Sequence, residues 1–243
     1  YSQEMVAAVL ALGLQSSNLT GAYTGIPNLA DANGLVVALQ THGVTVRLGH
    51  GTVSSSSVTV VRNSGGQAGT IAIRIPNHVR QAGTMGALQG VDPTSITWDG
   101  KVLNPNPDQW TNEVNTNALI SKDGGYTIRV PVKGKGTHSL KIAWQFDILT
   151  SGMSGSIDNL VYDVSGASSW PGGIGQFRYS IQYVYGPMPG AKGKTSPVSP
   201  VFAVEKTIPA SGWQVGANGA YFGANNYRPA QGVLSFAFHP NGF

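Results

Sequence analysis

The chain contains no cysteine among its 243 residues. Disulfide bonds, thiolate metal sites and thiol catalysis are therefore excluded. The missing cysteine does not fix the cellular compartment, since many exported microbial proteins also lack it. Together with the low charge described next, it favours an extracellular or cell-surface location on a microbe, or a place in a viral particle.

Charged residues are scarce, at 11% of the chain, against about 25% in typical soluble proteins. The polar surface must therefore be supplied by Ser, Thr, Asn, Gln and Gly. Such a surface is typical of β-rich extracellular and shell-forming proteins, and it weakens the repulsion between copies. The net charge of +4 is spread over the chain without a dense basic run. We therefore expect no nucleic-acid partner, because such binding needs a concentrated basic face.

Long hydrophobic runs are also missing. The longest apolar run covers residues 5–14, about half of the roughly 20 residues that a transmembrane helix needs. The sequence therefore predicts no membrane span.

Alternation of apolar and polar residues is the strongest pattern that the chain does contain. Four segments show it most clearly: residues 71–75, 126–132, 140–146 and 177–183. A period of two places one face of a strand in the core and the other in water. Gly, Pro, Asn and Ser separate these segments, which predicts antiparallel sheets packed face to face. We expect an all-β sandwich, jelly-roll or immunoglobulin-like, with roughly ten to thirteen strands.

Turn signals divide this sandwich into hairpins. Asp99-Gly100 and the Gly/Lys stretch 133–136 predict two tight turns, and His42-Gly43 predicts a third. We expect an N-terminal apolar segment and linker in residues 1–34, loop-like from Gly21 onwards, and an elaborated sandwich in residues 35–243. A Gly/Ser stretch at 150–156 is a candidate internal boundary.

Catalytic and metal-binding patterns are weak. The five histidines show no ligand spacing, so the sequence predicts no zinc site. A glycoside hydrolase needs two carboxylates, for which Asp99, Asp108 and Glu113 are the candidates. Because the chain has only 11 acidic residues, we expect a protein that is not an enzyme.

Calcium is the one cofactor for which the sequence offers a ligand set. Four hard oxygen donors lie close together in one loop-rich stretch: Asp99, Asn104, Asn106 and Asp108. Calcium prefers such ligands, but Asn-Pro repeats are also ordinary turn formers. Both interpretations stay open.

Two tryptophans fall in predicted loops and are candidates for stacking on a sugar ring. Trp110 and Trp170 are expected to be more exposed than the tryptophans that lie in phase with strands. The alternative is that they close the ends of the sandwich. A polysaccharide is therefore a candidate partner, and Asn18 in Asn-Leu-Thr is a candidate glycosylation site.

The N-terminal run suggests self-assembly. Its apolar side chains are Met5, Val6, Val9, Leu10, Leu12 and Leu14. As a helix or as a strand, this run must be buried. It fits the sheet of a neighbouring copy as a donated strand, which would grow head-to-tail filaments. It also fits as a helix folded back on its own sandwich.

An apolar N-terminal stretch before a β-sandwich of this size resembles the donor-strand surface fibres of bacteria and archaea, including TasA-like matrix fibres. The resemblance implies a structural, pilus-like subunit whose partners are copies of itself. A secreted carbohydrate-binding module or carbohydrate-active enzyme is the main alternative. A viral jelly-roll capsid subunit is a further one.

Overall fold

The computed structural model describes residues 20–49, 52–81, 88–108, 113–116, 119–122, 124–147, 158–184, 201–229 and 232–241. The apolar run 5–14, Asn18, Trp110 and the stretch 150–156 lie outside the described residues.

Strands dominate this part of the chain, which confirms the all-β prediction. The strands are β1 (Thr20–Gly25), β2 (Asn28–Asp31), β3 (Val37–Leu48), β4 (Thr52–Asn63), β5 (Gly69–Pro76), β6 (His78–Gln81), β7 (Leu88–Val91), β8 (Ser95–Trp98), β9 (Lys101–Val102), β10 (Pro107–Asp108), β11 (Glu113–Thr116), β12 (Leu119–Lys122), β13 (Gly125–Val132), β14 (Thr137–Asp147), β15 (Asp158–Asp163), β16 (Ile174–Tyr183), β17 (Val201–Ile208), β18 (Trp213–Gly216), β19 (Gly219–Tyr227) and β20 (Val233–Asn241). A short 3-10 helix spans Ser165–Ser169. No helix in the described ranges has the length and hydropathy needed to cross a bilayer.

The strands form four sheets. The large sheet has eight strands in the order β18-β19-β16-β3-β4-β14-β8-β9. A six-stranded sheet has the order β17-β20-β15-β1-β6-β7, and a four-stranded sheet the order β10-β13-β5-β2. Strands β11 and β12 pair as a separate hairpin. Buried side chains from the first three sheets form one continuous core, among them Ile73, Ile128, Trp144, Phe177 and Phe236.

Most strands follow the alternation that the sequence shows. In β13 the even-numbered residues from Tyr126 to Val132 are buried, because a strand turns successive side chains to opposite faces. The predicted Asp99-Gly100 turn is confirmed. Both residues have positive φ, 49° and 79°, as a tight hairpin turn requires.

Two of the connections from the six-stranded to the large sheet run by parallel routes. The first crossing joins β1 to β3 through β2, and the second joins β15 to β16 through Ser165–Ser169. β1 pairs in parallel with β15, and β3 with β16. The crossings contact each other: the Ile26 N–H donates to the Asp163 carbonyl over 2.9 Å, and the Trp170 indole N–H donates to the Pro27 carbonyl over 2.8 Å. Strands from the N-terminal half of the chain, β1 and β3, therefore pair with strands from the C-terminal half, β15 and β16, and the two halves are interleaved.

The hairpin turn predicted at His42-Gly43 is wrong, because both residues lie inside the continuous strand β3. The pairing of β3 with β4 shifts by one residue at Gln40, which is a β-bulge. Odd-numbered residues of β3 face the core before Gln40, and even-numbered residues face it afterwards. In the sequence, this one-residue shift of the apolar period looks like a turn between two strands. In the structure, the bulge accommodates the shift within one continuous strand.

Gly175 on the neighbouring strand β16 makes room for this bulge. A Cβ added at Gly175 would lie 2.5 Å from the Gln40 carbonyl oxygen, whereas one added at Gly43 would meet nothing within 4 Å. We expect Gly175→Ala to lower the free energy of unfolding by about 1–3 kcal/mol, since backbone must move. The control Gly43→Ala should leave it unchanged or raise it by up to about 1 kcal/mol. Urea denaturation measures both, and equal effects would refute the role of Gly175.

The stretch from Gly21 to Gly34 was expected to be loop-like, and this expectation is wrong for most of it. Strand β1 lies inside the six-stranded sheet, and β2 forms an edge of the four-stranded sheet. The glycines in this stretch weaken the strand pattern in the sequence. Strand β1 is nevertheless extended, because it pairs with β15 and β6 on its two sides. The sandwich therefore includes strands that precede Leu35.

Candidate functional site

The most polar part of the core surrounds His42, which the bulge at Gln40 turns inwards. Its Nδ1 lies 2.8 Å from the Thr59 Oγ1 and its Nε2 lies 2.5 Å from the Tyr162 hydroxyl. The bond to Tyr162 joins the two layers of the sandwich, since His42 belongs to the large sheet and Tyr162 to the six-stranded sheet, whereas the bond to Thr59 joins β3 to β4 within the large sheet. The Phe177 ring stacks near the imidazole at 6.1 Å.

Complete burial keeps this cluster uncharged. Desolvation lowers the pKa of His42 to about 3, because a buried imidazolium loses its hydration. Burial first, and then the neighbouring Tyr179 and Asp163, raise the pKa of Tyr162 well above its ordinary value. A neutral imidazole whose two nitrogens both have hydroxyl partners stabilises the fold, and it has no lone pair left for a substrate.

A small enclosed space lies near this cluster, between the sheets. Its volume is about 10 Å³, and Thr24, Ser55, Ser57, Trp144 and Tyr162 are among its walls. That volume is about the size of one water molecule. The space therefore has no room for an organic ligand.

Asp99 and His138 form the pair that most resembles a catalytic dyad. The His138 Nδ1 lies 2.6 Å from the Asp99 Oδ2, and the His138 Nε2 accepts the Lys133 N–H over 2.9 Å. The Nδ1 therefore carries the ring's proton and donates a hydrogen bond to the Asp99 carboxylate. The Trp98 ring stacks on the imidazole at 5.4 Å, nearly parallel.

This dyad has no free nitrogen for chemistry. In an acid–base dyad the Nε2 must face a nucleophile or a substrate, but here a backbone N–H occupies it. Partial burial tends to raise the pKa of Asp99, but hydrogen bonds from His138 and from the Ser139 N–H, with the charge of Lys133, hold that pKa below its usual range. We conclude that the pair fastens the β8–β9 turn to the β13–β14 turn.

The four residues proposed for calcium occupy different surroundings. The two Asp99 carboxylate oxygens accept hydrogen bonds from His138 and Ser139. Asn104 and Asn106 are exposed between β9 and β10, and Asp108 ends β10 in the four-stranded sheet. Within the described ranges, no three His, Asp or Glu side chains come together as a metal site would require. Calcium binding by Asp99, Asn104, Asn106 and Asp108 stays a prediction.

Trp170 is 2% exposed, so the expected exposure of this residue is wrong. It fills the contact between the two crossings, where its indole N–H is hydrogen-bonded to Pro27. The sequence around Trp170 does not indicate this burial, because its hydrogen-bond partner Pro27 lies 143 residues away in the chain.

The outward side of the large sheet carries polar side chains on neighbouring strands, and we call it the open face. Cross-strand pairing aligns one row of its residues over five strands: Gln214, Tyr221, Ser180, Thr45 and Ser56. Each side chain in the row is exposed or half-exposed. Directly opposite residues bring their Cβ atoms about 4.5–5.5 Å apart, so the row is a continuous strip of amide, phenol and hydroxyl groups.

A shallow groove of about 400 Å³ lies at one edge of the open face, and we call it the edge groove. Ser180, Gln182, Gln214 and Tyr221 supply its polar side chains. A Cβ added at Gly223 would collide with the Tyr221 hydroxyl, so the Tyr221 side chain extends along β19 over this glycine. The ring thus lies alongside the sheet, and the residues paired with Tyr221 are Gln214 and Ser180.

The charge of the large sheet is one-sided. Its eight strands contain five cationic residues, Arg47, Arg62, Lys101, Lys141 and Arg178, and one acidic residue, Asp147. Arg178 is paired opposite Gly223, and Arg47 opposite Gln182. Both arginines are exposed. The edge groove therefore lies between two cations, with no acidic residue in the strands β16, β18 and β19 that form it.

Sequence reasoning did not identify Tyr221 or its neighbours. One local signal was available: Ala220 and Phe222 are apolar and buried, so Tyr221 between them must face outwards. Gly223, two residues towards the C-terminus on the same outward side, is the second signal. The position of Ser180 opposite this tyrosine depends on pairing between distant strands and has no local signal.

Comparison with known proteins gives a similarity of fold. No protein-family model matches the chain, and no curated protein matches it in sequence. A solved Legionella pneumophila structure, whose assignment as a nutrient binding protein is itself provisional, is similar over 90% of this chain and 71% of its own, with a TM-score of 0.58 and 10% identity. A variant of the M1 zinc metallopeptidase of Deinococcus radiodurans covers 83% of this chain and 42% of its own, with a TM-score of 0.38 and 8% identity. The first similarity concerns the fold alone, and the second is too low to indicate a shared fold.

Proposed function

We propose that the chain is a non-catalytic, extracellular binding module whose edge groove holds a polysaccharide that carries carboxylates. The position of Tyr221 is the observation that supports this most directly. A ring that lies alongside a sheet offers its face to the apolar face of a sugar ring. Ser180, Gln182 and Gln214 surround it with the neutral donors and acceptors that sugar hydroxyls need.

The charges around the groove favour an acidic sugar over a neutral one. Arg47 and Arg178 flank the groove, and a guanidinium pairs with a carboxylate through two parallel hydrogen bonds. No acid in the groove strands competes for these arginines. The provisional nutrient-binding assignment of the Legionella pneumophila protein agrees with a binding role, although the similarity extends only to the fold.

Polygalacturonate is the probe for this proposal, and dextran is its neutral counterpart. We expect affinity electrophoresis to retain the chain in polygalacturonate more strongly than in dextran. Tyr221→Ala should weaken retention roughly tenfold. Gly223→Ala should weaken it too, because the added Cβ displaces the Tyr221 ring without removing it.

Gln145→Ala is the matched control, since Gln145 is exposed on the same face but on β14. It should leave retention unchanged. Salt near 1 M, where the Debye length falls to about 3 Å, should abolish the preference for the acidic polymer. Equal retention of all three variants and the parent chain would refute the groove as the binding site.

A self-assembling subunit of a surface fibre is the second candidate. The scarcity of charge favours it: charged residues make up 11% of the chain, and few charges weaken the repulsion between copies. An apolar run that one copy donates to the next would join copies into head-to-tail oligomers. Sedimentation velocity at increasing concentration would detect them.

A further inference from the structure

A second row of residues crosses the open face and carries a cation at each end. Cross-strand pairing aligns Arg178 of β16, Gly43 of β3, Val58 of β4 and Lys141 of β14. The residues on either side of each of these four are buried, so all four face outwards. We call them the charged row. It lies two residues along each strand from the row that contains Ser180, Thr45 and Ser56.

The surface between the two cations is low and open. Arg178 and Lys141 are separated by three strand spacings, about 14 Å. A Cβ added at Gly43 would meet nothing within 4 Å, and the neighbouring Thr45 and Ser56 have short side chains. Val58 is 41% exposed. A shallow path of short side chains therefore leads from the edge groove to Lys141.

The charges along this path are positive. Arg178 and Lys141 are exposed, and the charged row itself contains no acidic residue. The one acidic residue in the strands of the large sheet, Asp147, lies six residues from Lys141 along β14, which is about 20 Å. Asp99, in the turn after β8, accepts hydrogen bonds from His138 and from the Ser139 N–H. Both ends of the path can therefore attract an anion.

We infer that an acidic polysaccharide crosses the strands along the charged row, and that Lys141 binds a second carboxylate of the same polymer. The inference rests on the proposed function, because it extends the occupant of the edge groove across the sheet. A polymer of acidic sugars carries a carboxylate on each ring, so one molecule can contact Arg178 and Lys141 together. The second contact is then intramolecular and strengthens binding without another ligand.

Val58 gives the path an apolar contact between its two cations. A sugar ring that lies over this valine covers apolar surface that water otherwise contacts, which favours binding. Gln145 lies four residues from Lys141 on β14, about 13 Å away, and so outside the path. Its substitution by alanine therefore remains a neutral control for the edge groove and for the charged row.

The length of the ligand distinguishes the path from the groove. Digalacturonate is long enough for the edge groove alone, whereas octagalacturonate is long enough to reach Lys141 as well. Isothermal titration calorimetry of the full chain at low ionic strength measures both affinities. A longer oligomer also gains affinity because it has more registers in which to bind. The decisive quantity is therefore the effect of a substitution on each oligomer.

Lys141→Ala should weaken the binding of octagalacturonate about fivefold and leave that of digalacturonate unchanged. Arg129→Ala is the matched control, since Arg129 is an exposed cation on β13 of the four-stranded sheet. It should change neither affinity. An equal loss in the two variants would mean that overall charge attracts the polymer, and the inference would be overturned.

A substitution in the middle of the path gives a second test. Val58→Glu places a carboxylate opposite Lys141 and should weaken octagalacturonate binding at least as much as Lys141→Ala does. Val58→Thr has nearly the same shape and no charge, and should keep most of the affinity. If Val58→Glu leaves octagalacturonate binding intact, the polymer does not pass over β4.

Tyr221→Ala separates this inference from the proposal on which it rests. We expect it to weaken the binding of both oligomers. If it does so while Lys141→Ala weakens neither, the edge groove remains the binding site and the path across the sheet is overturned. If Tyr221→Ala changes neither affinity, the polysaccharide proposal is itself wrong and the path is rejected with it.

Discussion

Lowering the pH from 7 to 4 is expected to destabilise the fold by about 6 kcal/mol through two buried histidines. Burial lowers the pKa of both His42 and His78 from 6.5 to about 3. Both are neutral in the folded chain at pH 4 but protonated in the unfolded chain. The unfolded state then binds more protons, so stability falls with pH. At about 1.36 kcal/mol per pH unit, each histidine accounts for about half of the loss.

The pH window follows from the same values. Stability is flat with respect to these two groups above pH 6.5, falls between pH 6.5 and about 3, and levels off below that. Typical domains are stable by about 5–15 kcal/mol, so we expect acid unfolding within this window. Urea denaturation at several pH values measures the slope.

The slope near pH 5 should correspond to about two protons per molecule. In His42→Gln it should fall to about one, whatever the stability of that variant at pH 7. A parent slope well below one proton would contradict the assignment.

Replacing His42 by alanine should cause the largest loss of stability among single core substitutions near the bulge, about 3–5 kcal/mol. The substitution leaves a cavity and deprives two buried hydroxyls, those of Thr59 and Tyr162, of their partner. Unpaired buried polar groups cost more than the net value of the hydrogen bonds they had made. Thermal or urea unfolding at pH 7 measures the loss.

Two companion variants make this result specific. Tyr162→Phe removes only one hydroxyl and should cost about 1–2 kcal/mol, with less than additive loss in the double variant because the two residues share a hydrogen bond. Thr45→Ala lies on the same strand but on the open face, and should change stability by less than about 0.5 kcal/mol. If His42→Ala costs no more than Thr45→Ala, the cluster does not join the two layers.

Local patterns predicted the strands that have a clean period and a strong turn. Strand β13 and the turn at Asp99-Gly100 are of this kind, because alternation and the Asp-Gly pair are both properties of adjacent residues. The first half of strand β4 has no such pattern. Its serines at 54–57 have weak strand preference, and they are extended because β3 and β14 flank them on both sides.

Features that depend on distant pairing had no signal in the sequence. Three features all arise from contacts between separate parts of the chain: the parallel pairs β1–β15 and β3–β16, the burial of Trp170, and the pairing of Ser180 with Tyr221. The candidate site was therefore placed on the loop tryptophans Trp110 and Trp170. The open face could not be recognised until the strand order was known.

Because the two crossings are interleaved, the N-terminal half of the chain cannot complete its sheets until the C-terminal half has been synthesised. His42 and its partner Tyr162 are 120 residues apart, so a ribosome adding about 5–20 residues per second releases β3 on the order of 10 s before β15 and β16. During that interval the nascent N-terminal half presents sheet edges and apolar side chains that only the second half can cover. A chain cut or stalled near residue 150 would thus yield a fragment without its central partners, prone to aggregation rather than to independent folding.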